Sequence, residues 1–136
     1  MTLRAALSAL VPAVVAAIAV PAHGQKLPLG MLDELERGGW ELRERGGDAS
    51  VRNICLDNAR RLIQLRHPGV PCRSVVVEDS AVQVTVQYTC HGQGYGRTRI
   101  RRETNRLIQI DSQGIVNGLP FSYSGEGRKT GECRSS

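Results

Sequence analysis

The stretch CRSVVVEDSAVQVTVQYTC, from Cys72 to Cys90, constrains this chain more than any other. Two β-rich runs meet at a polar break, Glu78-Asp79-Ser80, with a cysteine at each outer end. In the second run Val82, Val84, Val86 and Tyr88 fall on one face of a strand, and Gln83, Thr85, Gln87 and Thr89 on the other. Cys90 lies on the apolar face, and Cys72 has the parity of Ser74 and Val76. A hairpin with an odd-length loop then sets Cys72 beside Cys90, a cross-strand placement that suits disulfide geometry.

The cysteine count agrees with that reading once the start of the chain is recognised. Met1 to Gly24 has a basic start (Arg4), an apolar run from Leu7 to Val20, and a small-residue end, Ala22-His23-Gly24. That is the pattern of an export signal, and the apolar run is shorter than the ~20 residues of a spanning helix. The mature chain is then residues 25–136, a single domain, with no later stretch able to span a membrane as a helix. It carries 17 basic and 13 acidic side chains, a net charge of +4. Its four cysteines, Cys55, Cys72, Cys90 and Cys133, read as two disulfides in an exported chain. The hairpin favours Cys72–Cys90, which leaves Cys55–Cys133. No CxxC or HxxxH supports a zinc or redox site. With few aromatics (Trp40, Tyr88, Tyr95, Phe121 and Tyr123), the core rests on Val, Ile and Leu.

Along the mature chain, Leu29, Leu32 and Leu35 recur at helical spacing before the Gly38-Gly39 stop, which predicts a short helix. WELRER from Trp40 reads as a strand, Gly46-Gly47-Asp48 as a turn, and Ser50 to Leu56 as a second strand. Asp57 is the expected N-cap of a helix over Asn58 to Arg66, with Ala59, Leu62, Ile63 and Leu65 as its apolar stripe. His67-Pro68-Gly69 ends it. After the cysteine hairpin, Arg97 to Thr104 turns near Thr104-Asn105 and returns through Leu107 to Asp111. An odd loop there places Ile100, Ile108 and Ile110 on the core face and lets Arg97 lie opposite Asp111. Gly114 and Gly118 bracket a short strand or turn, and a last strand runs from Phe121 and Tyr123 towards Cys133. The expected fold is α+β and mostly β: an antiparallel meander of six to eight strands, a half-barrel or small closed barrel, with one or two short helices and two disulfides.

Several of these segments resemble a family of small exported bacterial proteins catalogued as domain of unknown function 3617. The resemblance lies in Trp40 after Gly38-Gly39, CLDNARRL from Cys55, the Cys72–Cys90 stretch, YSGEG from Tyr123 and the closing TGEC. It spans about Gly38 to Cys133 and implies the fold, export and disulfides, but no catalytic residue. Where such proteins are often rich in Met and Thr in the later strands, this chain has Arg97, Arg99, Arg101, Arg102 and Arg106.

Those arginines are the most distinctive polar feature. Arg97, Arg99 and Arg101 project from one strand face about 6.5–7 Å apart. That spacing suits phosphates or other anions; a solvated face partly neutralised by Glu103 and Asp111 is the plainer alternative, and charge also protects a strand edge. An exported chain without aromatics between those arginines is a poor fit to nucleic acid. Gly92, Gly94 and Gly96 lack the strand–loop–helix context and the Gly-Lys-Ser/Thr of a phosphate loop, and read as a bend or close backbone packing. His67 is placed at a helix C-terminus, where an imidazolium suits the dipole, and His91 is expected to be exposed. With no nucleophile elbow, no metal-ligand cluster and no cofactor motif, the expectation is a non-catalytic binding or structural domain of the cell envelope. An apolar ligand held among Trp40, Val84, Val86 and Phe121 under a curved sheet is the carrier alternative, against which stands a core filled by the same residues.

Overall fold

The structure, a computed structural model, describes residues 28–46 and 50–134. The export-signal segment 1–24 and Gly47-Asp48 of the expected turn lie outside the described residues. A four-residue helix, α1 (Gly30–Asp33), precedes β1 (Gly38–Glu44) and β2 (Val51–Leu56). A 3-10 helix, Ala59–Gln64, leads to β3 (Cys72–Asp79), β4 (Gln83–Cys90), β5 (Gly94–Thr104), β6 (Leu107–Val116) and β7 (Leu119–Gly131). The seven strands form one antiparallel sheet in the order β2-β1-β7-β6-β5-β4-β3. Its outer strands do not pair with each other, so the sheet is open rather than a closed barrel.

One face of this sheet is apolar because each strand alternates. Trp40, Leu42, Val84, Val86, Tyr88, Ile100, Ile108 and Ile110 point inwards and are almost wholly buried. Leu62 and Ile63 of the 3-10 helix and Met31, Leu32 and Leu35 near α1 close over them in one contiguous core. At ~1.5–3 kcal/mol for each fully buried large side chain, this inner layer supplies most of the drive to fold. Two buried polar links fix the cover to the sheet. The Thr98 hydroxyl meets the Ile63 carbonyl and lies 2.8 Å from the Ser112 hydroxyl. The His67 ring lies 3.1 Å from the Tyr88 hydroxyl at Nδ1 and 2.9 Å from the Gln93 carbonyl at Nε2. A carbonyl can only accept, so Nε2 carries a proton there.

Both disulfides form as expected, Cys72–Cys90 and Cys55–Cys133. Cys72 stands directly opposite Cys90 in the ladder, but the loop is not odd. The turn is at Ala81-Val82, Ser80 bonds back to Gln83, and a bulge between Val76 and Glu78 restores the register. Strand β3 therefore runs through Glu78 and Asp79, where the polar break was expected, because both side chains stay exposed and find donors, Glu78 the Gln83 amide and Asp79 the Leu29 N–H. Val82 belongs to the turn and is exposed, not on the face of Val84. The next hairpin uses the same device. A bulge between Arg102 and Thr104 plus the two-residue turn Asn105-Arg106 sets Ile100 opposite Ile110 and puts Arg99, not Arg97, opposite Asp111.

Three further expectations are corrected. The helix over 58–66 is a shorter 3-10 helix capped by Asn58, whose side chain accepts from the Arg60 N–H; Asp57 instead pairs with Arg61. His67 does follow the 3-10 helix, its N–H donating to the Gln64 carbonyl, but its ring is buried rather than solvated, packed edge-on to Tyr88 and Phe121. Gly114 lies within β6, and the β6–β7 turn is Asn117-Gly118, both with positive φ, as a two-residue hairpin turn requires. Gly96 is needed because the Tyr88 ring lies across it, where a Cβ would collide.

Candidate functional site

The outward face of β5 and its neighbours carries the polar chemistry. Arg97, Arg99 and Arg101 project from it as expected and are exposed. Across the ladder they meet Gln87, Thr85 and Gln83 of β4, and Gln113, Asp111 and Gln109 of β6. A groove of about 360 Å³ runs over this face, lined among others by Glu78, Thr85, Arg97, Arg99, Asp111 and Ser124.

The five arginines divide by position. Arg102 lies on the inner face at the turn end, where it donates to Asn105 Oδ1 at 2.6 Å and to the Ala81 carbonyl at 2.8 Å. It clasps two hairpin turns together. Arg106 sits in a turn, 3.8 Å from Glu36. Arg101 pairs with Glu103 at 3.3 Å. Arg99 reaches Asp111 at 3.4 Å, and the Ser124 hydroxyl donates to the other carboxylate oxygen at 2.7 Å. The Ser124 hydrogen bond above all, with Arg99 and Arg45 adding to it, holds the Asp111 carboxyl below the usual range against the opposing effect of partial burial. Asp111 is thus an ionised carboxylate with one partner at each oxygen. Among the described residues the Arg97 side chain makes no hydrogen bond or ion pair, although it lines the same groove.

Arg45 extends this face across β7. It donates to Gln109 and, at 3.1 Å, to Ser124. Glu126 is held below its usual range by Arg128 and then by Gln109. Sequence reasoning missed Arg45, which lies far away along the chain; only the β1–β7 pairing brings it here.

Trp40, Val84 and Val86 are wholly buried in the contiguous core, and Phe121 lies beside His67 with the Arg66 guanidinium 5.4 Å from its ring centre. Among the described residues an apolar surface groove lies elsewhere. It measures about 640 Å³, between the inner side of β2 and the 3-10 helix, and includes Ile54, Leu56, Leu65 and Pro68 with Arg52 and Arg61. His91 is exposed, and His67 is committed to its two partners. Among the described residues no group of three His, Cys, Asp or Glu side chains could hold a metal ion, and no helix is long and apolar enough to cross a membrane. No family model, no curated protein and no solved structure matches the chain.

Proposed function

We propose that this chain is a non-catalytic binding domain of the bacterial envelope, periplasmic or secreted, whose outer sheet face takes anionic groups. The observation that carries the anion reading is Arg97: a guanidinium without a partner among the described residues, in a groove where Arg99 is already oriented by Asp111. A planar, permanently charged fork of this kind suits bidentate contact with phosphate, sulfate or carboxylate. Glu78 and Asp111 line the same groove, so separate anionic groups along a polymer fit better than a dense charge array. Two disulfides and the export-like start support an oxidising compartment. Membership of the domain of unknown function 3617 family is part of the same proposal and rests on the quoted segments.

The test is retention of the oxidised protein on an immobilised polyanion across a salt gradient. Elution is expected to move to lower salt in Arg97→Gln and further in Arg97→Gln/Arg99→Gln. Unchanged elution of the double variant would sink the anion reading. The groove beside β2 favours the second reading, a carrier of an apolar molecule. A fluorescent apolar dye should bind the native protein and be displaced by Leu65→Arg; dye binding indifferent to that change counts against it.

A further inference from the structure

Strand β3 ends the sheet order, so one of its sides is paired to β4, and among the described residues no strand pairs with the other. Edges of this kind are normally shortened, charged or covered. Here Cys72 is half-buried, every other residue of the strand is exposed, and three consecutive valines stand free: Val75 at 67%, Val76 at 41% and Val77 at 48% exposure. Val82 in the adjoining turn adds a fourth, at 58%.

The bulge decides what this edge presents. Arg73 and Val75 pair with Thr89 and Gln87, and so lie on the outer face, whereas Ser74 and Val76 pair with Tyr88 and Val86 on the inner face. Past the bulge, Glu78 pairs with Thr85 and Asp79 with Val84. Glu78 therefore lies on the outer face, where simple alternation would have put it inside. The outer side of the edge reads Arg73, Val75, Glu78: a basic end, an apolar centre and an acidic end.

We infer that β3 pairs with β3 of a second copy, antiparallel about a two-fold axis at Val75. A perpendicular two-fold keeps faces matched, so Val75 meets Val75 of the second copy. With Val77 as the extra residue of the bulge, Ser74 then meets Val76, and Arg73 meets Glu78, on each side of the axis. The Arg73–Glu78 pair forms twice by symmetry, and the apolar centre is covered by its own image, the self-complementarity that a two-fold interface needs. The contact is one strand wide and falls below the ~1,200 Å² of a standard interface, so the dimer is weak, roughly micromolar. It joins two seven-stranded sheets and brings their arginine faces side by side.

The test is sedimentation equilibrium of the oxidised protein from about 5 to 500 µM, the range that brackets such an affinity. Hydrogen exchange of the β3 amides is followed over the same range. The mass should rise from monomer to dimer, and β3 protection should rise with it. Val75→Lys sets two ammonium groups across the axis and should leave a monomer throughout. Arg73→Glu and Glu78→Arg should each weaken the dimer at least tenfold, and the double variant Arg73→Glu/Glu78→Arg should restore it. All three sites are exposed, and an unchanged melting temperature checks that folding is intact. A wild-type monomer at every concentration overturns the inference and leaves the edge to a foreign strand or to nothing. A dimer that survives Val75→Lys overturns it too, and single variants that weaken without rescue overturn the register.

Discussion

The two ends of the sheet are stapled by bonds of very different reach. At the β2 end, Cys55–Cys133 closes a separation of 78 residues and crosses β1 at Gly39, which pairs with Cys55 on one side and Gly131 on the other. A Cβ on Gly39 would come within 2.8 Å of the Glu132 carbonyl oxygen, so the crossing needs glycine. At the β3 end, Cys72–Cys90 joins two adjacent strands over a separation of 18. It holds one end of the hairpin and leaves the valines beyond it bare. The first staple locks the chain's last strand to its first hairpin; the second only reinforces a hairpin that local pairing already sets. The difference teaches which contacts the chain cannot secure by proximity alone.

The largest expected effect tests this contrast directly. On loop-closure entropy, replacing Cys55 and Cys133 by Ser should cost about 4.5 kcal/mol, against about 3 kcal/mol for Cys72 and Cys90, read as urea unfolding free energies. Equal losses would break the contrast, because strain or native contacts would then outweigh loop length. Next is Thr98→Val, which leaves the Ile63 carbonyl and Ser112 hydroxyl without their partner. A loss of about 1–3 kcal/mol is expected by the same measurement. A negligible loss would mean that the 3-10 helix is held by apolar contact alone.

A smaller effect appears only in alkali. Burial pushes the Tyr88 hydroxyl up to about 12, from 10.0, with Arg66 opposing slightly, and burial also raises Tyr123. Between these values the unfolded state releases a proton that the folded state keeps. Stability is therefore intact below pH 10 and falls as pH rises from about 10 to 12. Tyr88→Phe should reduce that slope without abolishing it, since Tyr123 remains; a slope unchanged by the substitution would place the ionisation elsewhere. The smallest stability change is expected for Arg97→Gln, within about 0.5 kcal/mol. Such an outcome beside a clear loss of polyanion retention would separate the outer face from the fold.

Much of this fold is legible in the residues. The Val-Thr-Val-Gln-Tyr alternation of β4, the inward Ile100, Ile108 and Ile110, and the parity of Cys72 with Cys90 all follow from a period of two. The turns were harder. The hairpins joining β3 to β4 and β5 to β6 each combine a two-residue turn with a bulge, and alternation alone gives the same core face for an odd loop. That ambiguity moved Asp111 from Arg97 to Arg99. Asn117-Gly118 carried a readable turn signal that the flanking Gly114 obscured.

By itself, then, the sequence determined an antiparallel, disulfide-stapled meander and the three arginines that share its outer face, because alternation and cysteine parity act between neighbours. Only the tertiary structure decided that the sheet stays open and that His67 is buried against Tyr88. It alone showed that Arg102 is spent on two turns while Arg97 stands free of partners among the described residues, and that Val75 to Val77 lie bare on an edge. These outcomes depend on which strands end the order and on what the non-local cover of α1 and the 3-10 helix reaches. No local spacing encodes either one.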